Sequence, residues 1–119
     1  ERVEFYDYIK WDEETINQTL INEYNWETSP DTTTTWRIGD GTAAFYNYIY
    51  YTVAGFTEND TFRSNQIREG VLSREKALEL INSENQPRWQ TIKEYCSLIQ
   101  VDFIKAIEVI DSMPKIYMR

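Results

Sequence analysis

The sequence predicts an all-α fold, a single domain of five to six helices around a central aromatic-rich helix, with a short extended segment at the N-terminus. Three observations predict it. Apolar residues recur at helical spacing along most of the chain, in stretches opened by capping residues such as Asp12, Ser73 and Asp102. Residues 42–55 are so rich in rings and aliphatic groups, from Ala43 and Phe45 through Tyr51 and Val53, that little room is left for a polar face, which places that helix centrally. At 119 residues the chain can bury one core and is too short for two.

Each element follows from local chemistry. Residues 3–11, VEFYDYIKW, alternate loosely and suit an extended lead-in or a short strand. Asp12 is an N-cap, Glu13 and Glu14 favour the positive end of a helix dipole, and Ile16, Leu20 and Tyr24 complete a helix over about 13–25. Residues 27–40, ETSPDTTTTWRIGD, have no helical period and read as a loop, with the threonines at 32–35 as its candidate disordered tract. After the aromatic helix, Gly55 is a stop, Thr57 or Asn59 caps the next helix, and Gly70 ends it. Ser73 opens a helix to about residue 83 with Ala77, Leu78 and Ile81 on its apolar face. Pro87 fits a first helical turn ahead of Trp89, Ile92, Cys96 and Ile99, and Asp102 caps a final helix that stops near Pro114.

Charge and composition exclude several functions. The chain carries 12 Lys plus Arg against 20 Asp plus Glu, net −8. Residues 1–31 hold nine acids and two bases, net −7, whereas the other 88 residues are nearly neutral. Without a basic stripe the electrostatic attraction that drives nucleic-acid binding is missing. No apolar run is long enough to span a bilayer and nothing resembles a signal peptide, so a cytoplasmic location is expected. Cys96, the only cysteine, sits among Ile92, Leu98 and Ile99 and reads as a small core residue. Histidine is absent, which removes imidazole-activated nucleophiles and the usual zinc sites, and the four glycines form no phosphate-binding loop. The expectation is a chain with no catalytic residues, no metal site and no cofactor of its own.

Two segments carry candidate binding residues. The loop containing Arg37 and Gly39 leads through Gly41 and Thr42 into the aromatic helix, where backbone N–H groups and Arg37 suit an anion, although Asp40 equally suits a cap and the glycines a turn. In the polar helix, Asn59, Arg63, Gln66 and Gly70 fall at i, i+4, i+7 and i+11, a stripe whose amides and guanidinium suit hydroxyls, carbonyls or phosphates. Asn65 and Arg68 extend that polar surface, with Phe62 and Ile67 as anchors. Ordinary solvated helix chemistry explains the same residues.

The words AGFT at 54–57, FRSNQIREG at 62–70 and SREKAL at 73–78 resemble the C-terminal region of the N-acetyl sugar amidotransferase-like proteins of bacterial lipopolysaccharide and surface-polysaccharide biosynthesis, members of the PP-loop ATP-pyrophosphatase superfamily. The resemblance implies a parent enzyme that uses ATP and Mg to convert an acetamido to an acetamidino sugar, with a separate glutaminase subunit supplying ammonia. It implies that residues 1–119 are its C-terminal helical domain, for which the start at Glu1 is a fitting boundary, contributing to nucleotide-sugar binding or domain docking and inactive alone. Arg63, Asn65, Gln66 and Arg68 would then stand at the mouth of a site completed by the N-terminal PP-loop domain. The alternative is a non-enzymatic helical module that binds a basic partner protein through its acidic N-terminal third.

Overall fold

The computed structural model describes residues 2–28, 30–32 and 41–118, and these are all-helical. Six α-helices, α1 (Glu13–Tyr24), α2 (Thr42–Ala54), α3 (Glu58–Arg68), α4 (Arg74–Glu84), α5 (Trp89–Leu98) and α6 (Phe103–Ser112), are flanked by 3-10 turns at Phe5–Asp7 and Ile116–Met118. The threonines at 33–35, with Arg37, Gly39 and Asp40, lie outside the described residues.

Four helix starts follow the capping chemistry of the sequence. Asp12, Ser73 and Asp102 accept hydrogen bonds from the backbone of Thr15, Lys76 and Lys105. Thr57 forms a full capping box with Asp60, which closes both free donors at the start of α3. Gly55 ends α2 in the left-handed region at φ 79°. The start of α5 has a cap that is distant in sequence: Asp31 accepts from the Thr91 backbone at 3.2 Å and from Arg88 Nε at 3.0 Å.

The helices form two groups. Helix α2 packs on α5, α6 and the C-terminal turn, while α3 and α4 form an antiparallel hairpin beside it. The first group is held by apolar burial. Ala44, Ile92 and Cys96 form its centre, with Phe45, Tyr48, Phe103, Ala106 and Ile107 packed around them. A ladder of edge-to-face rings, Tyr48 to Trp89 at 5.0 Å and Trp89 to Phe103 at 6.4 Å, links α2, α5 and α6. Gly41 allows the start of α2 to approach α5: a Cβ there would lie 2.7 Å from that of Tyr95, and its φ of 94° already disfavours other residues.

Three expectations change. Residues 3–11 are not a strand: the Asp7 and Tyr8 amides bond back to Glu4 and Phe5, and the rings of Phe5, Tyr6 and Trp11 pack edge-to-face on one another. Helix α2 is central, yet only one side is covered, leaving Tyr50 and Tyr51 exposed. Ile99 leaves the α5 core stripe because the helix ends at Leu98 and Gln100, at φ 58°, turns the chain away.

Ile92 is fully buried at the centre of the core. Ile92→Ala is expected to cost about 2–5 kcal/mol in urea unfolding, the usual range for truncating an enclosed aliphatic chain. A cost below about 1 kcal/mol would show that the α2–α5 contact is not the core.

Candidate functional site

Helix α3 has the most polar sequence in the chain, and its polar stripe does share one face, which is turned inward. Asn59, Arg63 and Gln66 are buried, although nothing in their spacing distinguishes an inner face from a solvated one. Arg63 lies between two carboxylates. Its Nη1 meets Glu13 Oε2 of α1 at 2.5 Å, its Nη2 reaches Glu13 Oε1 at 3.2 Å, its Nε donates to Glu84 Oε2 of α4 at 3.0 Å, and Nη2 also pairs with Glu84 Oε1. Gln66 accepts from Arg63 at 2.8 Å and donates to Glu13 at 3.1 Å. The rigid fork of the guanidinium allows this double engagement, which an ammonium could not match.

Burial disfavours the charged form of Arg63, but hydrogen bonds from Arg63 to Glu84 and then Glu13 outweigh it and raise the group above its ordinary value. Two carboxylates against one guanidinium leave this enclosed cluster with a net charge of −1.

A second set of amides continues the polar seam. Asn59 donates to the Glu84 carbonyl at 3.3 Å, and Asn85 accepts from Thr57 Oγ1 at 2.6 Å and donates to Asp60 at 2.8 Å. Asn47 of α2 exchanges two hydrogen bonds with Glu58, through its side chain at 3.0 Å and its amide at 3.2 Å. Between α2, α3 and the 84–88 turn these groups surround a cavity of about 40 Å³. That is space for water, whereas drug-sized ligands occupy about 300–1,000 Å³.

The remaining candidates lie apart. Asn65 and Arg68 are exposed on α3 and bond to each other. Gly41 is buried against α5, and Thr42 stands in the exposed first turn of α2. Arg37 and Gly39 lie outside the described residues. The structure therefore joins Asn59, Arg63 and Gln66 in one network and separates them from Gly41, Thr42, Asn65 and Arg68. It also shows residues that sequence reading missed: Glu13 read as a dipole-favouring acid and Glu84 carried no signal, yet both hold Arg63.

Other reactive groups are held quiet. Burial raises the Cys96 thiol, disfavouring the thiolate. Tyr48 donates to Asp111 of α6 at 2.7 Å, and burial followed by that hydrogen bond pushes its hydroxyl up to about 12. Among the described residues no group of three His, Cys, Asp or Glu side chains could hold a metal ion, and no helix is long and apolar enough to cross a membrane. No protein-family model, curated protein or solved structure matches the chain.

Removing Arg63 would strand Glu84, whose side chain is 3% exposed. Arg63→Ala is expected to cost about 3–5 kcal/mol in urea unfolding, and Glu13→Gln less, because Glu84 keeps its charge partner. A cost below about 1 kcal/mol for Arg63→Ala would mark the cluster as solvated ion pairs. Tyr48 supplies a pH test. Its folded value lies above the unfolded value of about 10, so the native state holds the proton longer. Its contribution to stability is complete below pH 10 and is lost as pH rises toward 12. Tyr48→Phe should flatten that alkaline decline; an unchanged slope would assign it to other tyrosines.

Proposed function

We propose that the chain is a non-catalytic helical docking domain that receives an apolar helix of a partner domain in the groove between α2 and α6. The observation that carries the reading is the contrast between engaged polar groups and bare apolar ones. The α3 stripe is closed on Glu13 and Glu84, while Val109 and Met113 along the groove are 57% and 37% exposed.

The groove has a cavity volume of about 480 Å³. Its α6 wall is formed by Asp102, Lys105, Ala106, Val109, Ile110 and Met113, at i, i+3, i+4, i+7, i+8 and i+11, facing Phe45 and Ile49 of α2. That spacing presents ridges into which a helix packs, and the charges of Asp102 and Lys105 at one end suit the polar border of such a contact. Patches of this type on a domain surface mark association sites.

The resemblance of residues 54–78 to amidotransferase-like proteins gives a narrower form of the same proposal, in which the partner is the ATP-binding PP-loop domain of the parent. The docking part of that reading draws support from the α2–α6 surface. A nucleotide-sugar contact at Arg63 draws none from a guanidinium already bonded to two carboxylates.

A photo-crosslinking residue placed at Val109, and at Lys76 on exposed α4 as a control, tests the proposal in the cell of origin. A discrete adduct is expected from Val109 and not from Lys76, with the crosslinked peptide of the partner reading as an amphipathic helix. No adduct, or equal adducts at both positions, would overturn it.

A further inference from the structure

A second concave site lies on the opposite chemistry, between the N-terminal aromatic segment and α3. Tyr6, Trp11, Phe62 and Val71 form its apolar walls, and Asn65, Gln66 and Glu69 bring polar groups to it. Its volume is about 320 Å³, within the range of small-molecule sites. Unlike the 40 Å³ cavity beside α2, it can enclose an organic head group.

Three features decide the ligand class. The walls present rings: Tyr6 and Trp11 meet edge-to-face at 5.4 Å and 71°, and remain 61% and 38% exposed. Ring faces attract cations, most strongly those that are weakly hydrated and carry their charge over a large apolar surface. Phe62 already takes one, since the Arg63 guanidinium carbon lies 5.1 Å from its ring centroid. The second feature is Glu69, an exposed carboxylate at the site. The third is the field: residues 1–31, which supply Tyr6 and Trp11, carry a net charge of −7.

The cations nearby do not cancel this. Arg63 is neutralised by Glu13 and Glu84, and Arg68 donates to Asn65 and Ser64 of its own helix. Arg2 pairs with Glu4 at 2.5 Å, and Lys10, exposed beside Trp11, is outnumbered by Asp7, Asp12 and Glu14. A phosphate or carboxylate ligand would meet this acidic field, and a neutral sugar would make no use of it.

We propose that the cavity formed by Tyr6, Trp11, Phe62 and Glu69 binds an alkylammonium group, the rings enclosing its methyl or methylene surface and the carboxylate balancing its charge. The group is either a free small cation or a lysine side chain of a protein. The site is independent of the α2–α6 groove and stands whether or not that groove holds a helix.

The test follows the indole N–H resonance of Trp11 by NMR while choline, tetralysine or 3,3-dimethyl-1-butanol, the uncharged counterpart of choline, is added to the chain. A saturable shift with choline or tetralysine and none with the alcohol is expected. Tighter choline binding identifies a small cation, and tighter tetralysine binding a protein side chain. Trp11→Ala, followed through the backbone amide of Glu69, should weaken binding about 5-fold or more, as loss of a cation–ring contact does, and Glu69→Gln, followed through the Trp11 indole, should weaken it about 3-fold, with the helical circular dichroism of both unchanged. An equal response to the alcohol would overturn the proposal by showing an apolar cleft without charge selection. So would binding that survives both substitutions, or shifts that never saturate.

Discussion

The structure depends most on how Arg63 is held. One guanidinium, buried and bonded to Glu13 and Glu84, ties together α1, α3 and α4. Helix α1 has no fully buried residue, with Ile16 and Leu20 half-buried, and Glu13 is its ion-pair link to α3. Helix α3 has the lowest apolar content of the six, and its packing on α4 joins Ile67 and buried Ala77 with the polar bonds of Arg63 and Asn59 to Glu84. Such an arrangement is strict in geometry, because each removed partner leaves a desolvated charge or amide behind.

Two kinds of cohesion therefore operate side by side. The α2–α5–α6 group is stabilised by burying Ile92, Cys96 and the ladder from Tyr48 through Trp89 to Phe103, a non-directional effect that tolerates open flanks. The seam from α1 through α3 to α4 is directional and polar. Exposed rings and aliphatic groups occur where neither operates, on the outer side of α6 and around the N-terminal segment, and the two proposed association surfaces lie there.

Much of the fold was legible because it is local. Caps at Asp12, Thr57, Ser73 and Asp102 act within three residues of themselves, and Gly55 needs only its own backbone conformation to end α2. The sequence also placed Asn59, Arg63 and Gln66 on one face. It did not reveal which way that face points, because the answer lies in Glu13 and Glu84, 50 and 21 residues from Arg63. The Asp31 cap on α5 was hidden for the same reason, its partner Thr91 being 60 residues away. Residues 3–11 read as extended because their rings suit a strand, whereas the rings of Phe5, Tyr6 and Trp11 pack on one another around a 3-10 turn. The aromatic cavity needed Trp11 and Phe62 brought together by a fold whose organising charge pair was itself non-local.

The C-terminal turn has a consequence for biosynthesis. Tyr117 lies over Gly55, close enough that a Cβ there would stand 3.0 Å from its ring, so the end of α2 is covered by a residue made after α6. Every strong packing partner of α2 comes after it in the chain, whereas α3 and α4 are neighbours joined by a short turn. As the polypeptide leaves the ribosome, the α3–α4 hairpin can close early, but the rings of α2 must wait for residues 89–117 before they are shielded. Until then those rings are a sticky surface on the nascent chain.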